Sequence, residues 1–258
     1  MVPELQGSLN GTRPVGAHPN VPITPYALAQ DALAVAALGV RSVHVHPRCG
    51  NGDESIDPHH VGDVVAAIRS VVPAMEISVP TCRWVQPCPK QRAEMVAGWG
   101  RLGRAKPDVV AINVHEDGWL DICRRACELG IGLELGLWTP GDAVRLRQAG
   151  LPRGVVRVVA ETTVADPEIA VEEAGRILKA LGRVHVPVLL HGEETSAWPV
   201  LEYATAQGYH ARIGLEDVLT NPNGSITEGN ADLVRHANWI RARGGSKAAP
   251  ARRLARLR

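Results

Sequence analysis

Two histidines stand two residues apart in the apolar run RSVHVH, at residues 41–46. A strand places alternate side chains on one face, so His44 and His46 point the same way. Two imidazoles that converge at a strand end can bind a transition metal. One of them could instead be a packed core histidine while the other bonds to a loop, and the pair alone leaves both interpretations open.

An acidic residue near the other end of the chain is a third candidate ligand. Glu216 follows the apolar run ARIGL at residues 211–215, which we predict to be the last strand. Two histidines and one carboxylate leave coordination positions open for water or a substrate, as catalytic zinc sites do. The interpretation requires a fold that brings residue 216 beside residues 44 and 46.

The fold is predicted from short β-branched runs that alternate with segments of helical period, a pattern typical of a parallel sheet with crossover helices. The predicted strands are residues 5–9, 41–46, 76–81, 109–114, 131–137, 155–160, 186–190 and 211–215. Apolar stripes of helical spacing lie at 26–38, 61–72, 118–129, 168–181 and 229–243. An N-cap residue followed by proline marks four helix starts: Thr24-Pro25, Asp57-Pro58, Thr139-Pro140 and Asp166-Pro167.

Eight such units match the usual size of a (β/α)8 TIM barrel of the α/β class, with its active site at the carboxyl ends of the strands. A doubly wound open sheet is the alternative, but no GxGxxG follows the first strand. We predict one catalytic barrel over residues 1–243 and a basic, flexible tail over 244–258. In a closed barrel the eighth strand lies two strands from the second, which brings Glu216 within reach of the histidines.

The composition argues against several classes of protein. The chain has 28 Lys and Arg against 27 Asp and Glu, a formal charge of +1, and we expect no nucleic-acid partner. Seven cations and no acids lie in residues 241–258, so the rest is net −6. Apolar stretches fall short of the ~20 residues of a membrane span. With five cysteines, no CxxC pair and no secretion-signal pattern, we expect a reduced, cytoplasmic protein without a membrane partner.

Several longer motifs occur in one order along nearly the whole chain. They are LNGTR, HPNVPITPYALAQDA, VHVHPRCGNGDESID, PDVVAINVHEDG, LELGLWT, LLHGEETSAWPVL, RIGLEDVLTNPNG and NADLV. Together they resemble the β-keto acid cleavage enzymes. The resemblance implies a zinc-dependent barrel that condenses a β-keto acid with acetyl-CoA, giving acetoacetate and a new acyl-CoA. It also implies a closed homo-oligomer, with a tetramer favoured.

The resemblance assigns roles to individual residues. It implies that Zn²⁺, or another divalent transition metal, binds to His44, His46 and Glu216. Asp217 is expected to be the general base and Arg212 its orienting charge partner, although the two could form an ordinary strand-end ion pair. The other matching positions are Glu134 as a catalytic group, and Thr81 and Asn113 as donors to substrate or thioester oxygens. Glu134 could instead simply anchor a loop.

Departures from the family pattern concern the substrate. A family member whose substrate carries an ammonium group has a glutamate at the position of Arg13, and a serine at that of Pro80. An ammonium-bearing substrate is therefore not expected. We hypothesise a neutral or anionic substrate tail that meets the Arg13 guanidinium, unless Arg13 points to solvent or pairs with Glu54.

The segment HGEETSAWPV, which begins at His191, also departs from the pattern and is predicted to be a specificity loop. In that loop His191 could contact the substrate, act as an acid or be purely structural. Two further functions remain open for the whole chain: a metal-dependent aldolase or lyase that acts on a keto acid without CoA, and a non-catalytic barrel that binds a metal or a small acid.

Overall fold

Eight parallel strands close into a barrel in the order β1 to β8, in a computed structural model that describes residues 4–245. The strands are β1 Leu5–Ser8, β2 Ser42–His44, β3 Glu76–Pro80, β4 Val109–Asn113, β5 Gly132–Leu137, β6 Val155–Thr162, β7 Val188–Gly192 and β8 His210–Ile213. The helices are α1 Pro25–Ala36, α2 Pro58–Val71, α3 Pro89–Gly98, α4 Trp119–Glu128, α5 Pro140–Ala149, α6 Pro167–Leu181, α7 Ala197–Gln207 and α8 Asn230–Gly245. The predicted TIM barrel is confirmed.

The four predicted helix starts are present, and each has the expected cap. The Thr24 side chain accepts from the Ala27 amide, and the Asp57 side chain accepts from the His59 amide. Thr139 and Asp142 form a capping box at the start of α5. At each of these starts proline occupies a position whose amide would have no partner in the helix, so the sequence determines the boundary locally.

The barrel closes between its first and last strands. Gln6 of β1 is in register with Ser42 of β2 on one side and with Arg212 of β8 on the other. This closure excludes the open sheet and places β8 two strands from β2. The core is built from Val, Ile, Leu and Ala side chains of the strands and of the helix faces around them.

Two strands, β2 and β8, end two residues earlier than predicted, for visible reasons. Beyond His44, the Asn10 side chain replaces a neighbouring strand: its Nδ2 donates to the His46 carbonyl at 2.8 Å and its Oδ1 accepts from the His46 amide at 2.9 Å. Beyond Ile213 the chain turns, and the Asp217 amide donates to the Gly214 carbonyl at 2.9 Å. His46 and Glu216 therefore lie just past their strands.

Residues 191–198 were predicted to be a loop, and this prediction is wrong. His191 belongs to β7, residues Glu194–Ser196 form a short 3-10 helix, and α7 begins at Ala197.

The last helix, α8, continues to Gly245, one residue past the start of the predicted tail. The rest of that tail lies outside the described residues. None of the helices within residues 4–245 combines the length and apolar character needed to cross a membrane.

Candidate active site

A cavity of about 430 Å³ opens at the carboxyl ends of the strands. Its walls come from loops and strand ends around the barrel. The predicted site residues that line it are His44, His46, Asn113, Glu134, Arg212 and Glu216. The structure therefore brings together, in one cavity, side chains from β2, β4, β5 and the end of β8.

His44, His46 and Glu216 form a compact cluster, with one possible ligand atom from each lying within 4.8 Å of the others. The two Nε2 atoms are 3.1 Å apart, and Glu216 Oε1 is 3.4 Å from His46 Nε2. Two nitrogens bound to a tetrahedral zinc, each at about 2.0–2.1 Å from it, would lie roughly 3.3 Å apart. The spacing of the two imidazoles therefore fits a single ion.

The outer nitrogens of both imidazoles are already engaged. His46 Nδ1 lies 2.6 Å from Glu54 Oε2 and donates to it, and His44 Nδ1 lies 3.1 Å from Ser78 Oγ. A carboxylate or hydroxyl behind the ring fixes its orientation and leaves Nε2 free for a metal. Glu216 Oε2 is buried without a hydrogen-bond partner. This unpartnered oxygen, beside two imidazole nitrogens that face each other at 3.1 Å, fits a bound cation.

Glycine is required beside the third ligand. Gly11 has a φ of +52°, and a Cβ at this position would come within 2.1 Å of Glu216 Cγ. Any side chain there would occupy the space of the carboxylate. The glycine of the LNGTR motif thus gives Glu216 room to face the two histidines.

Burial and charge act in opposite directions on the two imidazoles. Burial lowers the pKa of His44 to about 4. Burial would also lower the pKa of His46, but the charge of Glu216 and bonds from Glu216 and Glu54 outweigh it and raise this pKa to about 9. Because a metal binds the neutral ring, metal uptake at neutral pH displaces a proton from His46.

A Glu54→Gln variant is expected to bind zinc about 10- to 100-fold more weakly, because it loses the carboxylate that orients His46. A competition titration with a chelating dye measures this dissociation constant. Asp53→Asn is the matched control, since Asp53 is an exposed neighbour that pairs with Asn51 rather than with a histidine. Equal zinc affinity in Glu54→Gln and the native protein would contradict the assigned role of Glu54.

Arg212 and Asp217 lie beside the cluster as a buried ion pair. Arg212 Nη2 donates to Asp217 Oδ1 at 3.1 Å and to Glu216 Oε1 at 2.8 Å. Burial would raise the pKa of Asp217, but the Arg212 charge outweighs it and lowers that pKa. Asp217 is fully buried and Ser8 Oγ donates to its Oδ2. Arg212 lines the cavity, whereas Asp217 lies behind it.

His191 lies in the barrel wall with no exposed surface. Its Nδ1 is 3.4 Å from Asp217 Oδ1 and its Nε2 is 3.4 Å from Glu161 Oε2. Burial and Arg212 would lower its pKa, but Glu161 and Asp217 outweigh them and raise it to about 9. His191 thus contacts two acids rather than the cavity, and we place it as a structural link between β6 and the Asp217 turn.

Glu134 lines the floor of the cavity but already has strong partners. Arg157 Nε donates to its Oε2 at 2.5 Å and Gln6 Nε2 at 3.1 Å. Ser78 Oγ reaches its Oε1 at 3.5 Å, and the same hydroxyl contacts His44. Glu134 is therefore positioned to support the metal cluster from below.

The remaining predicted substrate residues differ in placement. Asn113 lines the cavity and its Nδ2 donates to Glu116 Oε1 at 3.1 Å. The Thr81 hydroxyl donates to the Ala111 carbonyl at 2.9 Å. Arg13 pairs with Glu194 at 2.5 Å and donates from Nε to the Leu215 carbonyl at 2.8 Å. Arg13 therefore meets neither Glu54 nor the cavity.

Several residues that line the cavity were not identified as site residues from the sequence, or only as part of the specificity loop. Those with side chains that could contact a charged ligand are Trp84, Trp138, Glu161 and Glu193. Glu161 directly follows the predicted sixth strand. Glu216 was selected because it directly follows the predicted last strand, and the same criterion could have identified Glu161. The two tryptophans lie in loops after β3 and β5, where no periodic pattern marks a position as facing the cavity.

A family model described as beta-keto acid cleavage enzyme matches residues 5–257. The chain belongs to this family. The matched segment covers the whole barrel, from β1 to the residues that follow β8. The beta-keto acid cleavage enzyme motifs quoted from the sequence, such as VHVHPRCGNGDESID and RIGLEDVLTNPNG, contain the two histidines and Glu216. The cavity thus belongs to a beta-keto acid cleavage enzyme fold.

Solved structures share this fold at low sequence identity. ObcA in its binary complex with oxaloacetate has a TM-score of 0.65 at 16% identity, covering 88% of this chain and 67% of its own. ObcA in its ternary complex with a C4-CoA adduct and oxalate has a TM-score of 0.63 at 16% identity, covering 89% and 64%. Type I 3-dehydroquinate dehydratase from Clostridium difficile has a TM-score of 0.64 at 9% identity, covering 94% and 93%. This beta-keto acid cleavage enzyme therefore spans about two thirds of the length of ObcA.

Proposed function

We propose that this family member condenses a β-keto acid with acetyl-CoA to give acetoacetate and a new acyl-CoA, as a zinc-dependent acyltransferase. The observation that carries the proposal is one cavity in which His44, His46 and Glu216 lie next to the Arg212–Asp217 pair. ObcA forms complexes with oxaloacetate, itself a β-keto acid, and with a C4-CoA adduct, which supports this choice of substrates.

The donor set of two imidazoles and one carboxylate suits zinc. A divalent ion held by His44, His46 and Glu216 would supply a Lewis acid for the ketone and carboxylate oxygens of the keto acid. Asn113 is the proposed neighbouring donor to these oxygens or to the thioester. The proposed role of Thr81 is to support the cavity wall, through the hydrogen bond from its hydroxyl to the Ala111 carbonyl.

Asp217 is the proposed base for the proton on C2 of the keto acid. In the absence of substrate, Arg212 covers Asp217 Oδ1 and makes the carboxylate a weak base. A bound keto acid offers its own carboxylate to the Arg212 guanidinium, which then moves toward the cavity. The pKa of Asp217 rises as this charge leaves, so substrate binding itself strengthens the base.

The remaining steps follow from that proton transfer. The deprotonated C2 attacks the acetyl carbonyl of acetyl-CoA and releases the CoA thiolate. The thiolate then attacks the original ketone carbon, and the C2–C3 bond breaks. The proton held on Asp217 returns to C2, so the products are acetoacetate and the new acyl-CoA. Arg212 keeps the keto acid's carboxylate in place throughout, because that carboxylate becomes the carboxylate of acetoacetate.

Acetoacetate formation is expected to depend strictly on acetyl-CoA. Zinc-loaded protein is incubated with a panel of β-keto acids, with and without acetyl-CoA, and acetoacetate and new acyl-CoA are measured in equal amounts by mass spectrometry. Cleavage of the keto acid without acetyl-CoA would instead favour the aldolase or lyase. Bound zinc with no turnover on any acid would favour a binding protein. The same protein on a gel-filtration column tests the proposed homotetramer.

A further inference from the structure

The cavity has a side that the metal cluster does not use. The candidate ligands come from β2 and from the turn after β8, whereas Glu161 lies near the end of β6 and Glu193 follows β7. In the closed barrel β6 is four strands from β2, and so lies opposite. A keto acid held at this cluster by its carboxylate and ketone would have room for its tail toward the far wall.

The far wall is acidic, and one of its acids lacks a counter-ion. The other three carboxylates that line the cavity have cationic partners: Glu134 has Arg157 at 2.5 Å, Glu216 has Arg212 at 2.8 Å, and Glu161 has His191 at 3.4 Å. Within residues 4–245, Glu193 forms no ion pair with a cationic side chain. Burial and the charges of Glu161 and Asp217 outweigh the charge of His191 and raise the pKa of Glu193 to about 7.

Two indole rings line the cavity between the metal cluster and the far wall, in the loops after β3 and β5. Trp84 and Trp138 both line it, with ring centroids 6.3 Å apart and planes tilted by 41°. The Trp84 Nε1 group donates to Glu54 at 3.4 Å, and the His115 ring packs on Trp138 at 4.7 Å. Indole faces held in place in this way attract cations.

Arg13 does not place a positive charge in the cavity that would repel a cationic ligand. Its guanidinium is engaged by Glu194 and by the Leu215 carbonyl, so the cation that could have selected an anionic tail is withdrawn from the cavity. The hypothesis of a neutral or anionic tail was drawn from Arg13, which is not among the residues that line the cavity.

We infer that the far wall of the cavity, formed by Glu193 and Glu161 and flanked by Trp84 and Trp138, is a subsite for a positively charged substrate tail, such as an ammonium group. The inference rests on the proposed function, since it takes the acid end of the substrate to be held at the metal cluster. A cationic tail provides the counter-ion that Glu193 lacks and lies against the indole faces. A carboxylate tail would meet two acids and be repelled.

Three β-keto acids that are identical except for the last group, which is ammonium, methyl or carboxylate, test the inference. Their dissociation constants are measured by calorimetry on zinc-loaded protein. We expect the ammonium acid to bind about 10- to 100-fold more tightly than the methyl acid, as a charge-assisted contact provides, and the carboxylate acid to bind most weakly. Equal or tighter binding of the methyl or carboxylate acid, or no measurable binding of the ammonium acid, would overturn the inference.

Two variants test whether the preference for an ammonium tail arises from the far wall. Glu193→Gln is expected to lose about tenfold of the ammonium preference, while Glu202→Gln, the same change on the exposed face of α7, keeps it. An unchanged preference in Glu193→Gln would count against the subsite. Turnover of the three acids with acetyl-CoA is measured in parallel. If none is turned over, the proposed reaction fails, yet the order of the dissociation constants still decides the charge of the tail.

Discussion

A His46→Ala variant is expected to lose its bound zinc and to turn over β-keto acids at least about a thousandfold more slowly. A metal ion that acts as a Lewis acid contributes several kcal/mol to stabilisation of a transition state, and each 1.4 kcal/mol changes the rate about tenfold. The imidazole of His46 is 3.1 Å from that of His44 and 3.4 Å from Glu216, so its removal leaves two ligands. Metal content by emission spectroscopy and kcat/KM by the acetoacetate assay measure the two losses.

His59→Ala is the matched control, because that histidine is 77% exposed and lies on α2 beside Asp63. It should keep both zinc and activity. A His46→Ala protein with one zinc per chain and native turnover would remove the metal centre from the mechanism. Loss of zinc with full turnover would also contradict the proposal, since it would make the metal structural.

An Asp217→Asn variant is expected to keep its zinc and to lose about 10²- to 10⁴-fold in kcat, the usual contribution of a positioned base. The amide has nearly the shape of the carboxylate, so Ser8 and Arg212 retain neighbours of similar size. Binding of the keto acid should change little, because the proposed contact is between its carboxylate and Arg212. A split between kcat and the calorimetric dissociation constant therefore separates loss of the base from loss of the site.

The control for this variant is Asp108→Asn at the opposite end of the barrel. Asp108 accepts from Arg69 at 2.7 Å and from the Ile77 amide at 2.9 Å, so the change also removes an arginine partner. It should leave kcat unchanged. If Asp217→Asn retained native kcat, the base would have to be another acid that lines the cavity, such as Glu161 or Glu193 in the far wall.

The fold could be predicted from the sequence because its signals are local. An N-cap and a proline at the start of a helix act within one turn, as at Thr139-Pro140 and Asp166-Pro167. The alternation of strands and helices then leaves few topologies. The strand ends were harder to predict, since β2 ends where the side chain of Asn10, 36 residues away, takes the place of a strand at His46.

The site was predicted unevenly, for the same reason. Spacing brought His44 and His46 to one face, and barrel closure brought Glu216 to them. Arg13 was assigned by its motif alone, yet its partner Glu194 is 181 residues away, and no sequence period connects them. The net charge of the cavity wall depends on ion pairs between residues that are far apart in the sequence. The charge of the substrate tail could therefore be inferred only from the structure, which shows these pairs.

The order of the barrel strands also bears on how the protein is made. His44 and His46 leave the ribosome early, but Glu216 follows 170 residues later, and β1 must pair with β8 before Ser8 meets the turn that holds Glu216 and Asp217. A chain that lacks β8 has only two of the three candidate ligands. Firm binding of a metal at this site would therefore depend on completion of the barrel.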